Sequence, residues 1–209
     1  YICIKSNNMK KLITLLLVLV TLNSYSQNKI INDTISIYYD TIVHYVEYND
    51  LRYSARKYNK NIKIYLKGQS INYLEEELIK ITNELNNLIT TIDISITEDS
   101  TDYNLLIFLG NSEDMNKIDS DFDVNSSLGW GNSYCTFKRN IILSHCFVDV
   151  KRVKDSTFRK HILREEITQC LGFPNDTYQY PNSIFYQGYS RTTEYSEIDK
   201  EVIKMLYNN

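Results

Sequence analysis

The stretch His161-Ile-Leu-Arg-Glu165-Glu166-Ile-Thr-Gln169-Cys-Leu-Gly172-Phe-Pro-Asn175-Asp176 carries residue types at spacings that can do chemistry. On an α-helix, His161, Glu165 and Gln169 fall at successive intervals of four and stack on one face. Adjacent helical residues are rotated by about 100°, so Glu165 and Glu166 are not a facing pair of carboxylates. Gly172 can end the helix with a positive φ and turn the chain so that Asn175 returns toward the helix face. Glu165, Gln169 and Asn175 are then three convergent oxygen donors for a cation, with Glu166 beside them as a candidate base. The plainer alternative is a capped amphipathic helix with a solvated polar face.

The spacing Glu165-Glu166-x-x-Gln169-x-x-Gly172-x-x-Asn175 resembles the H-E-x-x-H-x-x-G-x-x-H helix and turn of the metzincin metalloproteases. In that resemblance Glu166 falls on the general-base Glu and Gly172 on the turn Gly. Glu165, Gln169 and Asn175 fall on the three zinc histidines, and none of them is His. Further on, Ser183-Ile-Phe185-Tyr186 resembles the Met-turn, with Phe185 at the Met position. The segment from Ser196 to Tyr207 resembles the last helix of matrixins, which commonly closes in Leu-Tyr. The whole pattern, H-x-x-x-E-E-x-x-Q-x-x-G-x-x-N-D, is similar to a group of exported bacterial proteins with zincin-like features. The resemblance covers residues 60–209 and implies an α+β, metzincin-like fold: a mixed sheet with a packed helix, an active-site-type helix and a C-terminal helix.

The substitutions bear on function. Catalytic zinc takes three nitrogen, thiolate or carboxylate ligands, mostly His, and a water. One carboxylate and two amide oxygens form a harder, weaker set, better suited to Ca²⁺ or Mg²⁺. Without a metal, Glu166 faces water of pKa about 15.7, where zinc would bring it to about 7. The expectation is a non-catalytic binding module, a pseudo-metalloprotease with no cofactor and a protein or peptide partner. The alternative is an active metallohydrolase with an oxygen-rich divalent site (Zn, Ca or Mg) and His161 as an extra ligand one turn before Glu165. A third class, a structural envelope protein acting through its Tyr-rich lead-in, rests on composition alone.

Other candidates are weaker. Asp119-Ser-Asp121-Phe-Asp123 opens like a calcium loop, but Val124 stands where such loops need Gly and Trp130 where they need Glu. A solvated acidic loop is the expectation there. His44 has no ligand-spaced neighbour, and His145, beside Cys146 at an expected strand end, makes at most two ligands. No C-x-x-C spacing exists, so a thiolate zinc site has no support. Cys135 and Cys146, on successive strands, are placed to pair, and Cys170 reads as a buried helical residue.

Positioning this chemistry requires a framework. Ile62, Ile64 and Leu66 alternate with polar neighbours in a strand over 61–67. A helix with its polar start at Ser70 carries Leu74, Leu78, Ile81, Leu85 and Leu88 on one face. Strands are expected at 92–97, 103–109, 133–138 (an edge) and 140–144; the run Leu105–Leu109 is apolar throughout and therefore central. Residues 110–128 read as loop. A helix follows over 156–171, then a loop with Pro174, Pro181 and Gly188. A final helix over 196–207 opens on the capping box Ser196-Glu-Ile-Asp199.

Ahead of this domain lie residues 1–26 and a lead-in over 27–59. Lys10-Lys11, a short apolar run from Leu12 to Leu22 and Ser24-Tyr25-Ser26 read as a signal peptide beginning at Met9, with residues 1–8 upstream of it. A span would need roughly 20 apolar residues, so cleavage leaves no stable membrane span and an exported chain, periplasmic or secreted, from Gln27. The formal charge is -3 and becomes -6 from Gln27 onward, because residues 1–26 hold three lysines and no acid. A net anion is a poor partner for nucleic acid.

Overall fold

The computed structural model describes residues 33–45, 51–124 and 128–208. The expected signal peptide lies outside them. The chain divides into two units at Tyr38/Tyr39. Helix α1 spans residues 33–44; the second unit holds the sheet and the later helices.

Five strands form one sheet in the order β2-β1-β3-β5-β4: β1 (Ile62–Gly68), β2 (Ile94–Thr97), β3 (Leu105–Gly110), β4 (Gly129–Cys135) and β5 (Ile141–Asp149). The first four in space are parallel, and β4 closes the edge antiparallel to β5. All residues of β3 are buried, as its unbroken apolar run demands of a central strand. The class is α+β with a mixed sheet, as the order of elements led us to expect.

Helix α2 (Asn72–Leu88) crosses from β1 to β2 and buries Leu74, Leu78, Ile81 and Leu85. Its N-cap is Ile71, without a side-chain cap; the Ser70 hydroxyl instead donates to Glu75 Oε1. Residues 110–128 are not all loop. Helix α3 (Ser112–Ile118) is capped by Asn111, which accepts from the Asp114 amide. Met115 of this helix joins Phe108, Phe122 and Phe147 in an aromatic cluster on one sheet face, with Trp130 packed against it.

On the other side lies α4 (Ser156–Cys170), capped by Asp155 and followed by the turn at Gly172. It packs against β4, β5 and α2. The expected amphipathic character is absent: His161, Ile162, Leu163, Arg164, Glu166, Ile167, Thr168 and Cys170 are buried around nearly its whole circumference. Polar groups at that depth must be paired. Arg164, fully buried, reaches Glu77 Oε1 at 2.8 Å and the Glu84 carboxylate, both on α2, and stacks 4.6 Å over the Tyr195 ring.

Helix α5 (Glu197–Tyr207) opens on the expected capping box of Ser196 and Asp199. It ties distant segments together. The Tyr207 hydroxyl donates to Leu171 O at 2.7 Å, and the Lys57 ammonium to Leu206 O at 2.7 Å. Thr91 Oγ1 donates to Tyr207 O at 2.9 Å.

The three cysteines of the described residues are free thiols. Cys135 stands opposite Ile141, and Cys146 opposite Gly131, so the register separates the two candidates for a bridge.

Candidate functional site

Helix α4 places the motif, and each polar side chain has a specific neighbour. His161 is 2% exposed, and its Nδ1 donates to Thr192 O at 2.8 Å. A ring that gives its Nδ1 proton to a carbonyl presents Nε2 on the other side, here 3.5 Å from Glu165 Oε2. Burial lowers the His161 pKa, against the raising effect of the Thr192 bond, so the ring is held neutral.

Gln169 donates from Nε2 to Asp176 Oδ1 at 3.1 Å. The turn at Gly172 therefore returns the chain to the helix, but the residue that meets Gln169 is Asp176. Asn175 instead donates from Nδ2 to Thr41 O of α1 at 3.0 Å. Gly172 itself has φ of +118°, and a Cβ there would lie 2.0 Å from Arg56 O. Only glycine fits that combination of conformation and contact.

Glu166 lies on a different side of α4, beneath the edge strand. A Cβ on Gly129 would come within 2.5 Å of Glu166 Oε1 and 2.3 Å of Ile162 Cγ2. One on Gly131 would sit 3.2 Å from Glu166 Oε2 and 3.2 Å from Cys170 Sγ. The two glycines thus let β4 rest directly on the helix, and the carboxylate fills the space their missing side chains leave. Glu166 is 8% exposed. Burial raises the pKa of the neighbouring Cys146 and Cys170 thiols, and the Glu166 charge adds to it.

Below the turn, Phe185 is fully buried against Phe173, with ring centroids 5.2 Å apart. Its backbone is fixed through Ser183 and α5: Phe185 N donates to Ser183 Oγ, Ser183 Oγ donates to Asp199 Oδ1 at 2.5 Å, and Ile184 N donates to Asp199 Oδ2 at 3.1 Å. Asp199 also accepts from the Ser196 amide and hydroxyl. Burial raises the Asp199 pKa, and these four bonds work against it.

The remaining candidates take other roles. Asp119 is not a solvated loop residue. It is buried, and its Oδ2 accepts from the Tyr134 hydroxyl at 2.7 Å and bonds His145 Nδ1 at 2.7 Å. His145 lies within β5 and not at its end. His44 bonds Tyr53 O through Nδ1 at 2.8 Å. Arg164 and the Gly129/Gly131 pair escaped the sequence reading. The signals were there: Glu77 sits within the apolar stripe of α2, and two glycines alternate along an edge strand.

The donor set does not fit catalytic zinc. Among the described residues no three of His, Cys, Asp and Glu are grouped to hold a metal. Beside His161 stand the Glu165 carboxylate and the amides of Gln169 and Asn175, whose nitrogens bond Asp176 and Thr41 O; carboxylate and amide oxygens are not the donor set that catalytic zinc takes.

Fold and site together define an α+β domain whose buried helix carries a carboxylate under an antiparallel edge strand. The chain belongs to the family described as "Protein of unknown function (DUF2927)", which matches residues 32–209. Two solved structures of myroilysin are similar to it. One is 11% identical with a TM-score of 0.45, covering 73% of this chain and 82% of the myroilysin chain. The other is 12% identical with a TM-score of 0.46, covering 75% and 87%. A comparison with curated proteins gives no match.

Proposed function

We propose that this chain is an exported zincin-like domain that works as a non-catalytic binding module, a pseudo-metalloprotease whose ligand is a protein or an extended peptide. The observation that carries this reading is the place of Glu166. A general base must reach the proton it removes, whereas this carboxylate is covered by the backbone of β4 at Gly129 and Gly131. The neighbouring polar groups serve structure: Gln169 closes the turn through Asp176, and Asn175 anchors α1. Strand β4 supports the binding half of the proposal. It ends the sheet among the described residues, and an edge strand offers a row of backbone donors and acceptors to an added strand.

A second reading, a hydrolase with an oxygen-rich divalent metal, draws on one observation. His161 Nε2 and Glu165 Oε2 lie 3.5 Å apart, and a neutral ring nitrogen beside a carboxylate is a two-donor start for a cation.

The experiment that separates them is a peptidase screen of the purified chain beside Glu166→Gln, with metal analysis of both. The binding reading expects no hydrolysis that depends on Glu166 and no stoichiometric zinc. Hydrolysis lost in Glu166→Gln, with the melting temperature kept, overturns it.

A further inference from the structure

The hairpin joining β4 to β5 exposes an aromatic ring at its tip. Its tip is Thr136-Phe-Lys-Arg-Asn140. Phe137 is 102% exposed, the most exposed of the large apolar side chains described. An aromatic ring left wholly in water forgoes a large burial gain, and such a residue marks a contact when its presentation is fixed.

Here it is fixed. The Arg139 amide donates to Thr136 O at 2.9 Å, closing a four-residue turn with Phe137 at its second position. The Thr136 amide donates to Asn140 O at 2.9 Å, and the Asn140 amide to Thr136 Oγ1 at 3.2 Å. Arg139 holds φ of +64°, the one non-glycine residue described with positive φ. These bonds hold the turn in one conformation, with Phe137, Lys138 and Arg139 all exposed.

Lys138 and Arg139 follow the ring at the exposed tip, and among the described residues neither is engaged in an ion pair. The nearby carboxylates of Asp119 and Asp121 are bonded by the Tyr134 hydroxyl on β4. Two exposed cations beside an exposed ring suit a negative surface. Ile142, 56% exposed near the start of β5, is the next exposed apolar side chain along the chain.

We propose that the Phe137-Lys138-Arg139 tip docks on an anionic lipid surface, the ring entering the headgroup boundary and the two cations lying against lipid phosphates. A single projecting ring suits a fluid layer, which closes around it. A specific protein interface needs about 800 Å² of fitted surface per partner, and the narrow tip offers one ring and one Ile.

The test is co-sedimentation of the purified chain with vesicles of phosphatidylcholine alone, or of equal parts phosphatidylcholine and phosphatidylglycerol, at low and high salt. The expected result is weak binding that prefers the anionic vesicles and fades with salt. Phe137→Ser should lower partitioning about tenfold. Lys138→Ser and Arg139→Ser should each lower it about fivefold, at low salt only. Lys67→Ser, exposed on β1 at the other end of the sheet, should leave it unchanged. All four variants should melt with the parent, since each side chain is exposed. No binding to anionic vesicles at low salt, equal loss in Lys67→Ser, or Phe137→Ser binding like the parent each overturns the proposal. So does a protein partner lost in Phe137→Ser while vesicle binding is kept.

Discussion

Arg164 Nη2 lies 2.8 Å from Glu77 Oε1 with both side chains shut away from water, at 0% and 3% exposure. This pair, with Glu84 as the second acceptor of the guanidinium, is the polar joint between α2 and α4. Removing one member of a buried pair leaves the other charged and desolvated.

Arg164→Met should therefore destabilise the domain by about 3–5 kcal/mol, read by urea denaturation. The double variant Arg164→Met/Glu77→Leu should be more stable than Arg164→Met alone, because the stranded carboxylate is gone. A single variant within about 1 kcal/mol of the parent would show that the joint contributes little.

Gly172→Ala should cost about 2 kcal/mol or more, because the new Cβ meets Arg56 O in a conformation that L side chains resist. Differential scanning calorimetry reads this as a lowered melting temperature. An unchanged value would mean that the turn relaxes freely.

Glu166→Gln keeps the shape of the side chain under β4, so its melting temperature should stay close to the parent's. Gly129→Ala forces Ile162 and Glu166 aside and should lower it clearly. Comparing the two melts separates the packing role of this contact from any role of the charge. Equal losses would show that the charge itself holds β4 in place.

Acid should unfold the domain through Asp119 and Asp149. Burial raises the pKa of both, but hydrogen bonds outweigh it: from Tyr134, His145 and the Asp121 amide at Asp119, and from Arg152 and Ser112 at Asp149. Both carboxyls thus sit below the unfolded value of about 3.9. Their stabilisation is complete above that value and is lost as pH falls through the lower folded values. Asp119→Asn should melt lower at neutral pH and lose less on acidification, followed by circular dichroism. A parent-like acid slope in that variant would remove Asp119 from this account.

Local features were legible in the sequence, and long-range pairings were not. The apolar run of β3, the stripe of α2, the capping box of α5 and the turn at Gly172 follow from neighbouring residues, and the structure has them. Helix α3 was missed because its seven residues offer Met115 and Ile118 as the only apolar signals. The burial of α4 was missed because its polar residues looked solvated; Arg164 finds its carboxylates on α2, far back in the chain. Asp176 meets Gln169 in the place expected of Asn175, a shift of one residue in a turn that spacing alone does not resolve.

The ties made by α5 set an order on assembly. The Ser183–Phe185 turn takes its shape from Asp199, and the carbonyl of Leu171, where α4 ends, is capped by Tyr207. While the chain emerges residue by residue, neither partner exists until α5 itself has been made. The segment beyond Gly172 thus waits for its clasp, and an emerging chain cut short before α5 would leave Phe185 and the end of α4 open to proteases. Completion of this domain is a late event, coupled to the synthesis of its last helix.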